Sequence, residues 1–239
     1  MTMSSLVGSL VSYVDFGKRS LLGENGARTT FADIKQQQKV LICASRLAVS
    51  AASIAFNPLF WNIVARQEYR NKILTKLFGG NRTVANYALA ATIFSIGLVR
   101  DFLYKTAIFE QPAHPALQDN VYVQAASYAL LAAGNILVVT STWQLGIRGT
   151  FLGDYFGFLQ ERMVTGFPFS VTSAPMYWGS TMSFLGTALL FGRPAGVLLT
   201  GEVLLVYLVA LRFEDPFTAA IYAKRDRERA AAKAGKKSE

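Results

Sequence analysis

The sequence predicts an all-α fold, a polytopic membrane helix bundle of about four to five membrane segments ending in a helix-turn-helix pair. Three observations carry this. The 239 residues are 52% hydrophobic and only 16% charged, with a mean hydropathy of +0.30. The apolar residues fall in runs long enough to cross about 30 Å of hydrocarbon. The net charge of +9 is concentrated at the ends of those runs, as Lys and Arg are placed when they mark the cytoplasmic side of a bilayer.

Residues 1–38 read as an N-terminal interfacial helix and a connector. Leu6, Leu10 and Val14, with Val11, share one face of the first 17 residues. A basic start and an ordered cleavage site are missing, so this is not a cleavable signal. The polar residues that follow end in Gln36-Gln37-Gln38. The membrane domain is expected over 39–222, and its first run, 39–64, is interrupted by Arg46 and Asn57-Pro58. Pro58 should kink or end that helix. The stretch 65–82 sets Arg66, Arg70, Lys72, Lys76 and Arg82 against Glu68 alone. Further runs occupy 83–105 and 121–147, with an acidic, proline-containing connection between them. Residues 148–178 are rich in Gly and aromatics. Two shorter runs, 179–191 and 195–213, flank Gly192-Arg193-Pro194, which reads as a turn between two helices. The tail 223–239 carries seven basic residues against three acidic ones.

Two regions, 65–82 and the tail, are the basic ones, so both are expected to be cytoplasmic. Five segments satisfy this, with the last two forming a hairpin that dips into the membrane and returns. A four-span arrangement, with 39–64 inside one leaflet, satisfies it as well.

Several classes of function are excluded. A pI near 9.7 raises nucleic-acid binding, but no basic stripe interleaved with aromatics appears. Cys43 is the only cysteine and His114 the only histidine, so no internal disulfide, thiolate metal site or His-based zinc site can be assembled, and no metal is expected. Gly153–Gly157 looks like a phosphate-cradling turn, yet it follows a membrane helix rather than a strand. Charges at the membrane edge are costly and therefore informative. Glu214-Asp215 close the last apolar run before Pro216-Phe217. In Ala132-Ala133-Gly134, small side chains allow close approach of another helix or of a ligand.

Five stretches, taken together and in order, resemble the phospholipid N-methyltransferase family, above all its fungal phosphatidyl-N-methylethanolamine N-methyltransferase branch. They are Phe56-Asn57-Pro58-Leu59-Phe60-Trp61-Asn62-Ile63-Val64-Ala65-Arg66, Leu89–Ser95 with Val99-Arg100-Asp101, Gly149–Gly157, Pro175-Met176-Tyr177-Trp178-Gly179-Ser180-Thr181, and Glu214-Asp215-Pro216-Phe217-Thr218-Ala219-Ala220-Ile221-Tyr222. With their connections they cover residues 40–225.

The resemblance implies a small membrane helix bundle related to the isoprenylcysteine carboxyl methyltransferases, with S-adenosyl-L-methionine as methyl donor. The family's Gly-x-Gly falls on Ala132, Ala133 and Gly134, the first glycine being replaced by alanine. Its acidic pair falls on Glu214 and Asp215, and a Pro-x-Tyr-x-Gly pattern places Tyr177 and Gly179 at the cofactor. The implied reaction is N-methylation of phosphatidyl-N-methylethanolamine and phosphatidyl-N,N-dimethylethanolamine, and of phosphatidylethanolamine where the first step is included, giving phosphatidylcholine.

An alkylamine has a pKa of about 10 and must lose a proton before it attacks. Glu214, Asp215, Asp154 and Tyr177 are the candidate acceptors, with Glu214 and Asp215 taken as catalytic. Arg66, Arg100 and Arg148 flank expected helices and are candidates for the lipid phosphate. The implied location is the endoplasmic reticulum membrane, with mitochondria-associated membrane as a second site and the C-terminus cytoplasmic. A prenylcysteine carboxylate as acceptor, or a catalytically inactive membrane scaffold, are the alternatives.

Overall fold

The computed structural model describes residues 31–161 and 164–235, so the interfacial helix expected over residues 1–17 lies outside the described residues. Every regular element among the described residues is helical: α1 Phe31–Asn71, α2 Ile73–Leu77, α3 Arg82–Phe109, α4 Pro115–Gln118, α5 Val121–Thr150, a 3₁₀ turn Gly153–Phe156, α6 Pro175–Leu190 and α7 Pro194–Gly235. Four of these, α1, α3, α5 and α7, are long and apolar enough to cross a membrane. Large apolar side chains such as Leu59, Phe102, Val139 and Leu205 point outward on them, as they would toward lipid.

Contacts between connections define two ends of the bundle. At one end the α6–α7 turn meets the α3–α5 connection: the His114 amide donates to Gly192 O at 2.8 Å, and Gln124 Nε2 donates to Leu190 O at 3.1 Å. Arg193 lies over the Phe109 ring at 5.4 Å and donates to Gln111 O, so it faces protein. Arg46 pairs with Glu110 at the same end. The hairpin therefore runs the length of the bundle, because the 16 residues of α6 rise by about 24 Å. The opposite end gathers the basic 66–82 stretch, the 151–160 loop and the far half of α7. Asn86 Nδ2 donates to Phe151 O at 2.9 Å there, and Arg225 donates to Gln160 O.

Helix α1 does not end at Pro58 but runs on to Asn71, and it already includes Gln36-Gln37-Gln38. A proline costs one backbone hydrogen bond, which neighbouring groups can offset in a packed bundle. Asn57 Nδ2 donates to Ile96 O of α3, and Asn62 Nδ2 takes the Pro58 carbonyl at 3.0 Å. Helix α7 likewise continues past Pro216 into the basic tail.

The core divides along the bundle axis. Ile54, Tyr104, Ile108, Phe184, Leu199, Val203 and Tyr207 fill the half nearer the hairpin turn. Ala65, Ala85, Leu89, Tyr155, Phe156 and Ile221 fill the basic half. Helices α5 and α6 meet through glycine. A Cβ on Gly134 would lie 2.5 Å from Gly179 O, and one on Gly179 would lie 2.6 Å from Gly134 O. Such backbone-to-backbone approach supplies the packing that apolar burial cannot supply in lipid.

Candidate active site

Where the two halves of the core meet, α1, α6 and α7 converge on one carboxylate. The Glu214 side chain is half-buried, and its Oε1 accepts from Trp61 Nε1 at 2.7 Å and from Asn62 Nδ2 at 2.6 Å. Oε2 accepts from the Tyr177 hydroxyl at 2.5 Å. An ionised carboxylate offers about four acceptor positions, so one remains for a donor from outside the protein. Three donors from two other helices fix the carboxylate in orientation, which is what a preorganised site requires.

Local sequence explains the convergence. Trp61 and Asn62 are adjacent on α1, and both Asn62 amide hydrogens are committed, one to Pro58 O and one to Glu214. Its Oδ1 is buried without a partner. One turn further, Arg66 donates to Phe213 O at 2.6 Å and lies over the Phe217 ring at 5.0 Å, leaving its Nε buried and unpaired. Pro216 cannot donate to the carbonyl four residues back and crowds that turn. The Arg66 guanidinium takes the neighbouring Phe213 carbonyl. The acidic pair before Pro-Phe thus sits in a turn of helix held open by proline and capped by a cation from α1.

Beside this centre the rings of Trp61 and Tyr177 lie 6.4 Å apart, and Tyr207 meets Tyr177 edge-on at 4.7 Å. Arg100 Nη1 donates to the Tyr207 hydroxyl at 2.7 Å, which lies 3.2 Å from Ser180 Oγ. Arg100 of α3, Tyr207 of α7 and Tyr177 of α6 therefore follow one another in contact up to Glu214, two hydrogen bonds with an edge-on ring contact between them, linking three helices. On the basic side, Asp154 is half-buried in the 3₁₀ turn with the Thr218 side chain within hydrogen-bonding reach.

The sequence-predicted residues separate into groups. Tyr177 and Glu214 touch, whereas Asp215 is exposed on the outer side of α7. Gly134 and Gly179 meet each other, two residues from Tyr177, and act at the α5–α6 crossing. Ala132 is exposed and Ala133 half-buried on α5. Among the three arginines, Arg66 adjoins the carboxylate through Phe213. Arg100 is committed to Tyr207 and Asp101, and Arg148 is exposed on the Tyr87 and Phe158 rings. Trp61 and Asn62 were assigned no role from sequence. The available signal was their polarity, since two asparagines and an indole N–H within six residues of an apolar helix need partners.

Removing the indole N–H while keeping a ring tests the arrangement. Trp61→Phe should lower turnover by about tenfold or more, the scale of one hydrogen bond to a charged group, with the fold intact by circular dichroism. Wild-type turnover in that variant would mean that the Trp61 donor does not position Glu214.

Residues 122–225 match the family model described as phospholipid methyltransferase. The chain is 69% identical over 193 residues to phosphatidyl-N-methylethanolamine N-methyltransferase of Neurospora crassa, covering 81% of this chain and 90% of that protein. The chain belongs to the phospholipid methyltransferase family. The Saccharomyces cerevisiae protein of the same name is 50% identical, covering 77% of this chain and 88% of its own length. Human phosphatidylethanolamine N-methyltransferase is 45% identical, with 72% and 86% covered. No solved structure matches. The family model ends at Arg225, so α6, α7 up to that residue and Glu214 fall within it, while Trp61 and Asn62 precede its first matched residue.

Proposed function

We propose that this chain transfers methyl groups from S-adenosylmethionine to the amines of phosphatidyl-N-methylethanolamine and phosphatidyl-N,N-dimethylethanolamine, giving phosphatidylcholine. The observation that carries the reading is the Glu214 carboxylate, oriented by Trp61, Asn62 and Tyr177 where the two halves of the core meet. The names of the relatives support the acceptor class.

The site suits a cationic, zwitterion-bearing donor molecule. Glu214 keeps one acceptor position, Asn62 Oδ1 is an unpaired acceptor, and Arg66 Nε is an unpaired donor. Aromatic faces at Trp61 and Tyr177 favour an onium centre. When bound, S-adenosylmethionine supplies an electrophilic methyl on a sulfonium sulfur.

The residues then have separable tasks. Glu214 accepts the proton that the lipid ammonium must lose, or holds the cation beside it, and Tyr177 keeps the carboxylate aimed. Arg66, about one helical turn from Asn62, holds the Phe213 carbonyl and with it the turn of α7 that carries Glu214. Gly134 and Gly179 hold α6, and with it Tyr177, at the depth the site requires. Ala132 and Ala133 leave the adjoining face of α5 free of bulk, and Asp215 offers a second carboxylate at the rim. Positioning of nitrogen and methyl supplies much of the acceleration. The bundle resides in the endoplasmic reticulum membrane with the basic end and the C-terminus cytoplasmic, where soluble donor and lipid headgroup meet.

Two measurements test this reading. Offered separately in vesicles, the monomethyl and dimethyl lipids should each accept labelled methyl, and a prenylcysteine peptide should accept none; the reverse pattern overturns the acceptor. Ala132→Leu should weaken S-adenosylmethionine binding severalfold without altering thermal stability, because Ala132 is exposed and unpacked. Unchanged affinity would remove α5 from the cofactor site.

A further inference from the structure

The glycine-rich loop that resembles a phosphate-cradling turn is used in an unexpected way. Its glycines place arginines rather than backbone amides. A Cβ on Gly153 would lie 2.5 Å from Arg148 O, so only glycine lets the loop fold back onto the end of α5. A Cβ on Gly157, where φ is +85°, would lie 3.3 Å from Arg82 Nη1. The loop then delivers Phe158, anchored against the buried Tyr155 and Phe156 cluster, between the two side chains. Arg148 lies 4.6 Å from the Phe158 ring centre and Arg82 lies 5.4 Å from it, with Arg148 also 5.6 Å from Tyr87.

Both arginines are exposed, and neither has a carboxylate partner among the described residues. Two guanidinium groups gathered on one ring repel each other, and the repulsion grows where the membrane lowers the effective dielectric. Each offers forked donors that match phosphate geometry. The corner lies at the basic end, on the loop that also carries Asp154 beside Thr218 of α7.

We infer that Arg82, Phe158 and Arg148 form a phosphate-binding corner that takes the phosphodiester of a membrane phospholipid headgroup at the rim of the site. It adds Arg82 to the residues that handle lipid, and it rests on the reading of the chain as a phospholipid-modifying enzyme.

The full chain in neutral detergent, without methyl donor, is titrated with short-chain phosphatidylcholine, short-chain diacylglycerol and inorganic phosphate. Arg82→Gln with Arg148→Gln should weaken phosphatidylcholine binding by about tenfold and leave diacylglycerol binding unchanged. Lys at both positions should restore part of the loss, which a merely structural role would not allow. Phe158→Leu, which keeps both charges but removes their platform, should lose affinity as well. Equal phosphatidylcholine affinity in the double Gln variant and wild type would overturn the corner. Inorganic phosphate binding the wild type as tightly as the lipid would overturn the lipid assignment. Binding is read without turnover, so a wild-type chain that binds lipid but transfers no methyl would defeat the proposed reaction and not this site.

Discussion

Glu214→Gln should lower methyl transfer to phosphatidyl-N-methylethanolamine by about a hundredfold or more, the scale of losing a positioned proton acceptor. The amide keeps the shape and can still accept from Tyr177, but it loses the charge that Trp61, Asn62 and Tyr177 all donate toward. Asp215→Asn, on the exposed side of the same turn, should change turnover by no more than about threefold. The pair is adjacent in sequence and unequal in the fold, because successive helix positions are about 100° apart and only one can face α1 and α6. Equal losses in the two variants would mean that the pair acts as a unit at the rim.

The second large effect belongs to the α5–α6 crossing. Gly134→Ala adds a Cβ that would sit 2.5 Å from Gly179 O and 2.7 Å from Ser183 Oγ. Ser183 can rotate, but the Gly179 backbone cannot, so the helices must separate. Overpacking of this kind costs about 1–3 kcal/mol. The detergent-solubilised protein should unfold several degrees lower, and turnover should fall with it as α6 carries Tyr177 away from Glu214. A Gly134→Ala protein of unchanged stability and activity would contradict the crossing. An alanine at 132, where the resemblance implies a glycine, fits this geometry. Ala132 is exposed, and the close contact is made two residues later.

Much of the fold was legible in the sequence because lipid imposes simple rules on it. Apolar length gave the helices, and Gly192-Arg193-Pro194 gave the hairpin turn between α6 and α7. Pro58 was misleading, since a proline costs a helix only one local hydrogen bond, while contacts to other helices, such as Asn57 reaching Ile96 O of α3, hold α1 in the bundle. The stretch 65–71, polar and basic, was expected to be a connection and is the end of α1. Helix continues there because buried Glu68 accepts from the Leu74 and Thr75 amides and ties the turn that follows.

Within the site, Glu214 and Tyr177 were visible as residues of a family pattern. Their hydrogen bond to each other was not, because 37 positions and a hairpin separate them in the chain. Trp61 and Asn62 lie more than 150 positions from Glu214. No periodicity links residues at that distance; only the packing of α1 against α7 does. Arg100 carried the right charge for a phosphate, but its donors face Tyr207 and Asp101, an assignment that depends on which way one helix face turns.

The most direct test of the central claim is labelled methyl transfer by the purified full chain in vesicles containing phosphatidyl-N-methylethanolamine, with the Glu214→Gln protein assayed alongside at equal folded concentration. Labelled dimethyl lipid and phosphatidylcholine from the wild type, with a loss of about a hundredfold in the variant, is the result expected. Equal labelling by the two proteins would contradict it.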